Sequence, residues 1–531
     1  MAKNKFYAVR AGRKTGLFYS WEECENQVSG YPGCEFKGFA TEDEAKTWLG
    51  NSEITKNKKQ HTPNNAANVQ SDPVCSRKSG PRRHKQKHND PYKQLNEEQK
   101  RAFQMLQEGG NIFLTGEAGT GKSFLLNAFL NRIQGKNVLV CAPTGIAALQ
   151  IGGATIHSVF KIKPQPFLPG QPLRGIKNTV KAADVIVIDE VSMCRFDLFD
   201  YLCRYIQKAE QMSKKHKQVI VVGDFSQLPP VVAKDRDVLE EGWKDHISNI
   251  SSGFAFLAPG WADMNFTTVV LRQVMRQKED AQFLHNLNKI RIGDESAISW
   301  FNQYTAKKEQ PGIYMSALNR HVDQKNEQQM AGLHTEKKSY EGINENFQDT
   351  LPTKQSLVLC EGARVMSLLN DPGGDYQNGS LGTVEKLKNH SVIVKFDHGG
   401  TVEVAPYTWE DIEYQVVIDE KTGVPSLTQV VTGKFTQLPL RVAFAVTIHK
   451  SQGQTYDSVN LDPYCFDVGQ LYVALSRVPG ADRLHLEKSI KKQDLRVSQE
   501  VQHFYQNLET SANPAWTDGT YTKDEERGHG L

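Results

Sequence analysis

The sequence predicts an α/β protein with a parallel sheet flanked by helices, a second and less regular α/β region, and a small β-rich insertion within that second region. Two observations predict this class. From Tyr92 onward, short β-branched runs ending in polar or glycine-bearing loops alternate with helical patterns, which is typical of parallel sheets with a ligand site at the strand carboxyl ends. Ahead of that region, a patterned N-terminal segment is followed by a stretch without hydrophobic periodicity.

The composition indicates a folded, intracellular protein of several domains. The chain has 531 residues, of which 38% are hydrophobic and 24% charged. Its eight cysteines form no CxxC pair and no Cys/His cluster, so we expect a reduced compartment and no structural metal. No apolar run approaches the roughly 20 residues that cross a bilayer, and the N-terminus has no apolar signal core. We therefore expect no membrane partner, and a location in the nucleus of a eukaryote or the cytoplasm of a bacterium.

The predicted domains follow the changes in pattern along the chain. They are a small module at residues 1–50, a linker at 51–91, a first α/β domain at 92–265, the first part of a second at 266–356, a β-rich insertion at 357–435, the rest of the second domain at 436–510 and a polar tail at 511–531. In the first α/β domain, strands are predicted at residues 111–115, 138–142, 185–189 and 218–223.

Residues 1–50 predict a β-β-α-β-α module. The predicted elements are strands at residues 6–10 and 17–20 around a turn at 12–16, a helix at 21–28, a strand at 35–39 and a helix from residue 41. The second helix opens on a capping box, in which Thr41 and Glu44 satisfy each other's exposed backbone donors.

The linker at residues 51–91 concentrates positive charge. It holds nine Lys or Arg and three Asp or Glu residues, so it carries +6 while the rest of the chain sums to −3. It has few large apolar residues, which predicts a flexible segment. The charge either meets nucleic-acid phosphates or belongs to a solvated spacer without a partner, and the composition leaves both interpretations open.

A glycine-rich loop follows the first predicted strand of the α/β domain and leads into a helical pattern. It has the form GxxxxGK[ST] in a strand–loop–helix setting, and its residues are Gly116, Glu117, Ala118, Gly119, Thr120, Gly121, Lys122 and Ser123. Glycines let backbone N–H groups wrap a phosphate, and the helix N-terminus adds a positive field. We expect Lys122 to reach the β- and γ-phosphates and the Ser123 hydroxyl to hold Mg²⁺.

A second strand of the same predicted sheet ends in two carboxylates. The apolar run VIVI leads into Asp189 and Glu190. We expect Asp189 to orient Mg²⁺ through water and Glu190 to polarise the attacking water. Because the chain has no NKxD or TKxD guanine-reading element, the nucleotide predicted is ATP.

Further segments extend this pattern in a fixed order. They are LNEEQ at residues 95–99, APTGIAA at 142–148 with GATIHSVF at 153–160, GDFSQLPP at 223–230, LRQVMRQ at 271–277, TIHKSQGQT at 447–455 and QLYVALSR at 470–477. Together they resemble the motifs of the Pif/RecD-type DNA helicases of superfamily one, over about residues 92–510. One segment departs from the family pattern, because KKHKQ stands at residues 214–218 where many relatives carry FGG. That departure is compatible with a divergent or RecD-leaning branch.

The resemblance implies two RecA-like domains that close over ATP. It implies roles at the nucleotide for Gln99 as adenine reader, Gln227 as γ-phosphate sensor, Gly453, and Arg276 and Arg477 as arginine fingers. Both arginines fall in the second predicted α/β region. A guanidinium from there would stabilise phosphoryl charge only when the cleft is closed.

The resemblance also implies contacts with single-stranded DNA. The residues it selects are Thr144, Thr155, His157 and Phe160 on the first domain and Thr447, His449 and Lys450 on the second. Taken singly, His157 and Phe160 are more typical of core packing. The family further implies an SH3-like fold for the insertion and 5′-to-3′ travel on single-stranded, duplex or fork DNA, and we expect a monomeric motor.

The N-terminal module carries a second resemblance. Its segments FYAVR, GRKTG and EFKGF, with Trp21, are similar to the hybrid-binding domain of ribonuclease HI. This implies binding of RNA–DNA hybrid or double-stranded RNA through Tyr7, Trp21, Phe36 and Lys37. Residues 1–21 carry five basic residues and no acid, although Gly38 stands where relatives commonly have a second lysine. The alternative is that these aromatic side chains form the core of a very small domain.

The function predicted is ATP-dependent unwinding of duplex DNA or RNA–DNA hybrid. Two alternatives belong to other classes: a DNA-stimulated ATPase that clamps or remodels nucleic acid without separating strands, and an AAA-type chaperone. The arginines at 276 and 477 argue against the first, and the GDFSQLPP and TIHKSQGQT elements argue against the second.

Overall fold

A computed structural model describes residues 6–11, 16–18, 24, 27, 35–39, 45 and 91–511, except residues 174, 233, 248–252, 278–279, 372 and 419–424. The chain divides into two units, Met1–Lys85 and Gln86–Leu531. Within the described residues, no helix combines the length and apolar character that a membrane span requires.

The first unit contains a three-stranded antiparallel sheet in the order β2-β1-β3. Its strands are β1 (Phe6–Ala11), β2 (Gly16–Phe18) and β3 (Glu35–Phe39). Buried Val9 and Cys24 form its described core, against which Tyr7 and Phe18 pack. The three predicted strands are therefore confirmed. The two predicted helices and the turn at residues 12–16 lie outside the described residues, apart from helical residues 24, 27 and 45.

The first sheet of the second unit has six parallel strands in the order β6-β5-β7-β8-β4-β9. They are β4 (Ile112–Gly116), β5 (Val138–Ala142), β6 (Ala154–Thr155), β7 (Val185–Ile188), β8 (Gln218–Val222) and β9 (Thr267–Leu271). The helices of this part are α1 (Glu97–Glu108), α2 (Lys122–Arg132), α3 (Gly145–Gln150), α4 (Ile156–Phe160), α5 (Asn178–Ala182), α6 (Phe196–Ser213), α7 (Arg236–Trp243) and α8 (Pro259–Asp263). The four predicted strands are confirmed to within a residue, because their β-branched runs are buried on both faces.

The second sheet has four parallel strands in the order β21-β10-β22-β23. They are β10 (Ile313–Ser316), β21 (Ala445–Thr447), β22 (Val459–Leu461) and β23 (Leu484–Leu486), and the remaining helices are α9 (Ala281–Ile292), α10 (Ser296–Phe301), α11 (Asn319–Gly332), α12 (Gln470–Leu475) and α13 (Gln499–Ser511). Apolar side chains of α9, α10 and α12 pack on this sheet in one core.

The β-rich insertion lies between β10 and β21. Its strands are β11 (Lys337–Glu341), β12 (Ile343–Glu345), β13 (Ser356–Cys360), β14 (Arg364–Ser367), β15 (Leu381–Leu387), β16 (Val392–Phe396), β17 (Thr401–Val404), β18 (Tyr407–Ile418), β19 (Pro425–Gln437) and β20 (Leu440–Val442). They form sheets in the orders β11-β13, β12-β19-β18 and β17-β16-β15-β14-β20. The predicted bounds of 357–435 were too narrow, because β11 and β20 pair with β13 and β14.

Two further groupings predicted from the sequence were wrong. Strand β9 pairs in parallel with β4, so it belongs to the first sheet and not to the second α/β region. Helix α13 returns to the first domain, where Phe504 stacks on Phe256 at 4.4 Å between ring centroids. Hydrophobic periodicity locates such elements but does not say which sheet they join.

Candidate nucleotide and nucleic-acid site

The glycine-rich loop joins β4 to α2 and requires its glycines. Gly119 and Gly121 have φ values of +87° and +81°, which side chains rarely adopt. A Cβ atom on Gly119 would lie 2.8 Å from Cβ of Arg276, and one on Gly121 would lie 2.5 Å from Nε2 of Gln99. Neighbouring segments approach the loop so closely that a side chain at either position would clash with them. Only glycine therefore allows this loop conformation.

Lys122 is the first residue of α2 and points back into the loop. Its Nζ donates hydrogen bonds to the carbonyl oxygens of Gly116 at 2.8 Å and Glu117 at 3.0 Å. Burial lowers the pKa of Lys122, while the charges of Asp224 and Glu190 act in the opposite direction. An anionic phosphate would offer this ammonium a stronger partner than two neutral carbonyls. Ser123 follows it and is exposed at the cavity.

The two carboxylates lie where β7 ends. Asp189 is buried, and its Oδ1 accepts a hydrogen bond from the Glu190 amide at 2.9 Å. Glu190 has φ +50°, a left-handed conformation that turns its carboxylate toward Nε2 of Gln452 at 2.9 Å. Burial raises the pKa of both groups, and the Glu190 charge raises the pKa of Asp189 further. Such a pair favours a cation or a proton between its oxygens.

These groups share one cavity of about 620 Å³ between the two sheets. Its walls include, from the first domain, Gly119, Lys122, Ser123, Asp189, Glu190, Gln227 and Arg276 and, from the second, Gly453, Thr455 and Arg477. Most of the residues predicted to bind or hydrolyse the nucleotide are therefore brought together. In the described part of the chain, no cluster of three or more His, Cys, Asp or Glu residues could hold a metal ion. Ser123 and Asp189 supply two oxygen donors of the kind that Mg²⁺ prefers, with water and phosphate to complete its shell.

Gln227 lies on the loop after β8, in a buried position. Its Nε2 is 3.4 Å from Oδ2 of Asp224 on the same loop. It lines the same cavity as Lys122.

The two predicted arginine fingers reach the cavity from different domains. Arg477, at the end of α12, is 1% exposed and donates to the carbonyl oxygens of Val473, Ser451 and Gln454. Arg276 follows β9 and so belongs to the first domain, which corrects the prediction that both come from the second. Its Nη1 donates to the Ser476 carbonyl at 2.9 Å.

Burial and the neighbouring Arg477 charge lower the pKa of Arg276 to about 9, so this side chain remains cationic at neutral pH. Both guanidinium groups line the cavity, and their like charges repel each other. An anion bound between them would relieve this repulsion.

Gln99 holds the loop rather than facing the cavity. Its Nε2 donates to the Thr120 carbonyl at 3.1 Å, and its Oε1 accepts from the Asn96 amide in a capping box that starts α1. Both ends of the carboxamide are thus occupied. Each end still has one further hydrogen-bonding position, which adenine could use.

The predicted DNA contacts on the first domain have different environments. Thr144 and Thr155 are the N-caps of α3 and α4, and each hydroxyl accepts an amide hydrogen bond from its own helix. His157 is half-buried. Phe160 is 1% exposed and packs edge-on against Tyr205. The predicted contact between Phe160 and DNA was therefore wrong, because its ring lies in the core and is not free to stack on a base.

On the second domain, the predicted contacts lie at the end of β21. Thr447 is buried, and its hydroxyl accepts a hydrogen bond from the Lys450 amide. His449 and Lys450 are exposed. A groove of about 650 Å³ is lined by His449 and, from the first domain, by Pro229 and Pro230. Single-stranded nucleic acid binds in grooves of this kind.

In the N-terminal unit, the residues predicted to bind hybrid are only partly described. Tyr7 on β1 is half-buried, and Lys37 on β3 is exposed, with its Nζ 5.6 Å from the ring centroid of Phe39. The backbone of Phe36 lies on β3 opposite Val9. Trp21 lies outside the described residues.

Several residues around the cavity were missed in the sequence. Arg291, Asp224, Tyr472 and Tyr505 form a cluster beside the loop, and Gln452 holds Glu190. Gln452 and Tyr472 lie inside the TIHKSQGQT and QLYVALSR segments, so the motif pattern could have identified them. Arg291 and Tyr505 lie on α9 and α13, which carry no recognised pattern.

A phosphate loop, two strand-end carboxylates and an arginine from a second parallel α/β domain define a P-loop ATPase with two RecA-like domains. The family model described as PIF1-like helicase matches residues 94–298, and that described as Ribonuclease H1 N-terminal domain matches residues 5–49. The ATP-dependent DNA helicase Pif1 of Bdellovibrio bacteriovorus is 30% identical over 438 residues, or 78% of this chain and 92% of that protein. The chain belongs to the PIF1-like helicase family.

Solved structures agree with this assignment. Bacteroides sp Pif1 in complex with ADP-AlF4 is 30% identical with a TM-score of 0.69, covering 78% of this chain and 97% of that one. Bacteroides Pif1 bound to ssDNA is 31% identical with a TM-score of 0.56 over the same shares of the two chains. The departure at residues 214–218 therefore does not remove the chain from the family.

Proposed function

We propose that this protein is an ATP-dependent DNA helicase that moves along single-stranded DNA and separates duplex DNA or RNA–DNA hybrid. The observation that carries the proposal is the single cavity shared by Lys122, Glu190 and Arg477. Lys122 and Glu190 follow strands of the first parallel sheet, and Arg477 follows a helix that packs on the second. A site assembled from two domains makes nucleotide hydrolysis depend on how the domains are placed, which is what a motor requires.

Each side chain has a task in hydrolysis. The loop amides and Lys122 would hold the phosphates, and Glu190 would orient and polarise the attacking water. Arg276 and Arg477 would stabilise the charge that develops on the transferring phosphoryl group. Mg²⁺, held by Ser123 and through water by Asp189, supplies charge neutralisation at the phosphates when bound. Gln227 would report whether a terminal phosphate is present.

The DNA strand would cross the groove between the two domains. His449 lines this groove, and the adjacent Lys450 is exposed. The hydroxyl and amide groups at the starts of α3 and α4 would offer further phosphate contacts. Contacts of this type are independent of base sequence. The family supports 5′-to-3′ travel, and the proposed motor is a monomer. The solved relatives include Bacteroides Pif1 bound to ssDNA and two coordinating Pif1 helicases at forked dsDNA.

The N-terminal unit would direct the motor to RNA–DNA hybrid. Its match to the Ribonuclease H1 N-terminal domain and the exposed Lys37 beside Phe39 support this role. Tethering a binding module to a motor raises the local concentration of the substrate. R-loops and RNA primers are the hybrids to which such a protein would be recruited.

The first experiment is ATP hydrolysis with and without single-stranded DNA, on the full chain and on Lys122→Ala. We expect strong stimulation by DNA that the variant loses, because the ammonium at the β- and γ-phosphates is removed. Hydrolysis that is indifferent to DNA would contradict the proposal. DNA-stimulated hydrolysis without strand displacement on a 5′-tailed fork would instead identify a clamp or remodelling ATPase.

A further inference from the structure

A buried charged pair bridges the two RecA-like domains beside the phosphate loop. Arg291 lies on α9, whose Phe283, Leu287 and Ile290 are in the core of the second domain. Its Nη2 is 3.2 Å from Oδ1 of Asp224, which follows β8 of the first domain. The Asp224 side chain has no exposed surface, and that of Arg291 is 17% exposed. A buried pair of this kind fixes geometry because each charge depends on the other.

The first domain encloses Arg291 on a second side. Its guanidinium lies 4.9 Å from the ring centroid of Tyr505 on α13. The Tyr505 hydroxyl in turn contacts Asp224 Oδ1 at 3.2 Å and Thr115 Oγ1, at the end of β4, at 3.1 Å. Arg291 is thus connected to the strand that leads into the phosphate loop.

The phosphate loop itself also faces this cluster. Asn288, one turn before Arg291 on α9, and Arg291 itself lie near the Glu117 carboxylate, and both act to lower the pKa that burial raises in this carboxyl. The Tyr472 hydroxyl of α12 accepts a hydrogen bond from the Ala118 amide at 2.9 Å. Helices α9 and α12 of the second domain therefore face two successive residues of the loop, Glu117 and Ala118.

Burial acts to raise the pKa of Asp224, but the positive charges of Arg291 and Lys122 lower it. Lys122 donates hydrogen bonds to two neutral loop carbonyls, and its charge also acts on Asp224. A bound phosphate would draw the Lys122 ammonium to itself. Arg291 would then be the principal counter-ion of Asp224, and its contact across the domain boundary would gain strength.

We propose that Arg291 is a positioning residue that couples nucleotide occupancy to closure of the two domains, acting through Asp224 and Glu117 without touching the nucleotide. This inference rests on the proposed ATPase function. The coupling between nucleotide binding and domain closure would depend on the Arg291–Asp224 contact, which is separate from Arg276 and Arg477 at the cavity. Since Asp224 shares its loop with Gln227, the same contact also fixes the position of the predicted γ-phosphate sensor.

The test compares Arg291→Gln, Arg291→Lys and Asp224→Asn with the full-length wild-type protein. We expect Arg291→Gln to lower the DNA-stimulated kcat by about tenfold or more, the usual size of an inter-site coupling. The Kd for ADP should rise by a smaller factor, because a contact that strengthens when nucleotide binds also contributes to nucleotide affinity. Lysine should recover part of the loss, because it keeps the charge without the planar fork. The matched control is Arg204→Gln, which breaks a partly buried Arg–Asp pair on α6 outside the cleft.

A double-mutant cycle provides a readout that does not need hydrolysis. The coupling between Arg291→Gln and Asp224→Asn, measured by denaturant unfolding, should be larger with saturating Mg·ADP than without nucleotide. An equal coupling in both states would overturn the inference, as would a loss of kcat that Arg204→Gln reproduces. An ADP affinity that falls as much as kcat would also overturn it. A wild-type protein without DNA-stimulated hydrolysis would contradict the proposed function, and the cycle would still decide the role of Arg291.

Discussion

His157 and Phe160 were selected by the same family segment, yet they lie in different environments. Phe160 is fully buried against Tyr205, whereas His157 is half-buried on the same short helix. A segment that contacts DNA must also be anchored to its own domain. At this helix the apolar residue anchors the segment, and the polar residue is left to meet the strand.

Substitutions at these two positions should therefore have separable effects. Phe160→Ala should lower the free energy of unfolding by about 3–5 kcal/mol, because it leaves a cavity in the core. His157→Ala should leave stability nearly unchanged and weaken binding of single-stranded DNA. Urea unfolding and fluorescence anisotropy measure the two quantities. A variant at Phe160 that keeps its stability and loses DNA affinity would restore the stacking role.

The buried pair Asp189 and Glu190 predicts a pH-dependent stability. Burial raises their pKa values above those of the unfolded chain, where a carboxyl titrates near pH 4. The folded protein therefore retains protons that the unfolded chain releases, so this contribution to stability is full at acidic pH. It is lost as pH rises through the raised pKa, which for Asp189 is about 7.

Asp189→Asn removes one of these charges. We expect the Tm of the variant, relative to wild type and without nucleotide, to rise between about pH 4 and pH 7 and to level off at higher pH. Asp482→Asn, at an exposed carboxylate, serves as the control and should give a flat difference. A flat difference for Asp189→Asn as well would mean that the pair is solvated in the free protein.

At the scale of elements, helix α6 shows how the chain accommodates its departure from the family pattern. The helix ends at Ser213, and Lys214 follows in the left-handed conformation with φ +52°. Glycine is the usual residue at this position of a helix end. The loop is held because Lys217, directly before β8, is buried and donates to the carbonyl oxygens of Lys181 and Ala183.

Lys214→Gly should stabilise the protein by about 1 kcal/mol, because it relieves the left-handed conformation of a residue with a Cβ atom. Lys208→Gly, at an exposed position inside the same helix, should destabilise it by a similar amount. Chemical denaturation of the two variants tests the difference in sign. Equal destabilisation by both would show that the end of α6 is not strained.

At the scale of the whole molecule, an N-terminal module related to ribonuclease H1 is joined to a two-domain motor in one chain. The cavity at the phosphate loop is lined by both domains of the motor, so the proposed hydrolysis would depend on their placement. The module has its own sheet and its own small core. The two functions can therefore be separated by mutation.

Deletion of residues 1–50 should weaken binding to RNA–DNA hybrid at physiological salt and leave DNA-stimulated ATP hydrolysis intact. Lys37→Ala should reproduce part of the loss, because an exposed cation next to an aromatic ring is removed. A DNA duplex of the same sequence is the matched substrate control. Unchanged hybrid affinity and unwinding after the deletion would leave the module without this role.

The sequence by itself determined the phosphate loop, the carboxylates at residues 189 and 190, the family and three strands of the N-terminal module. These features are local, because a strand, a turn and a helix start are decided by neighbouring residues. Only the tertiary structure decided that β9, Arg276 and α13 belong with the first domain, that Phe160 is buried and that Arg291 meets Asp224. Those outcomes depend on which distant surfaces pack together, and hydrophobic periodicity does not record the partner of a buried face.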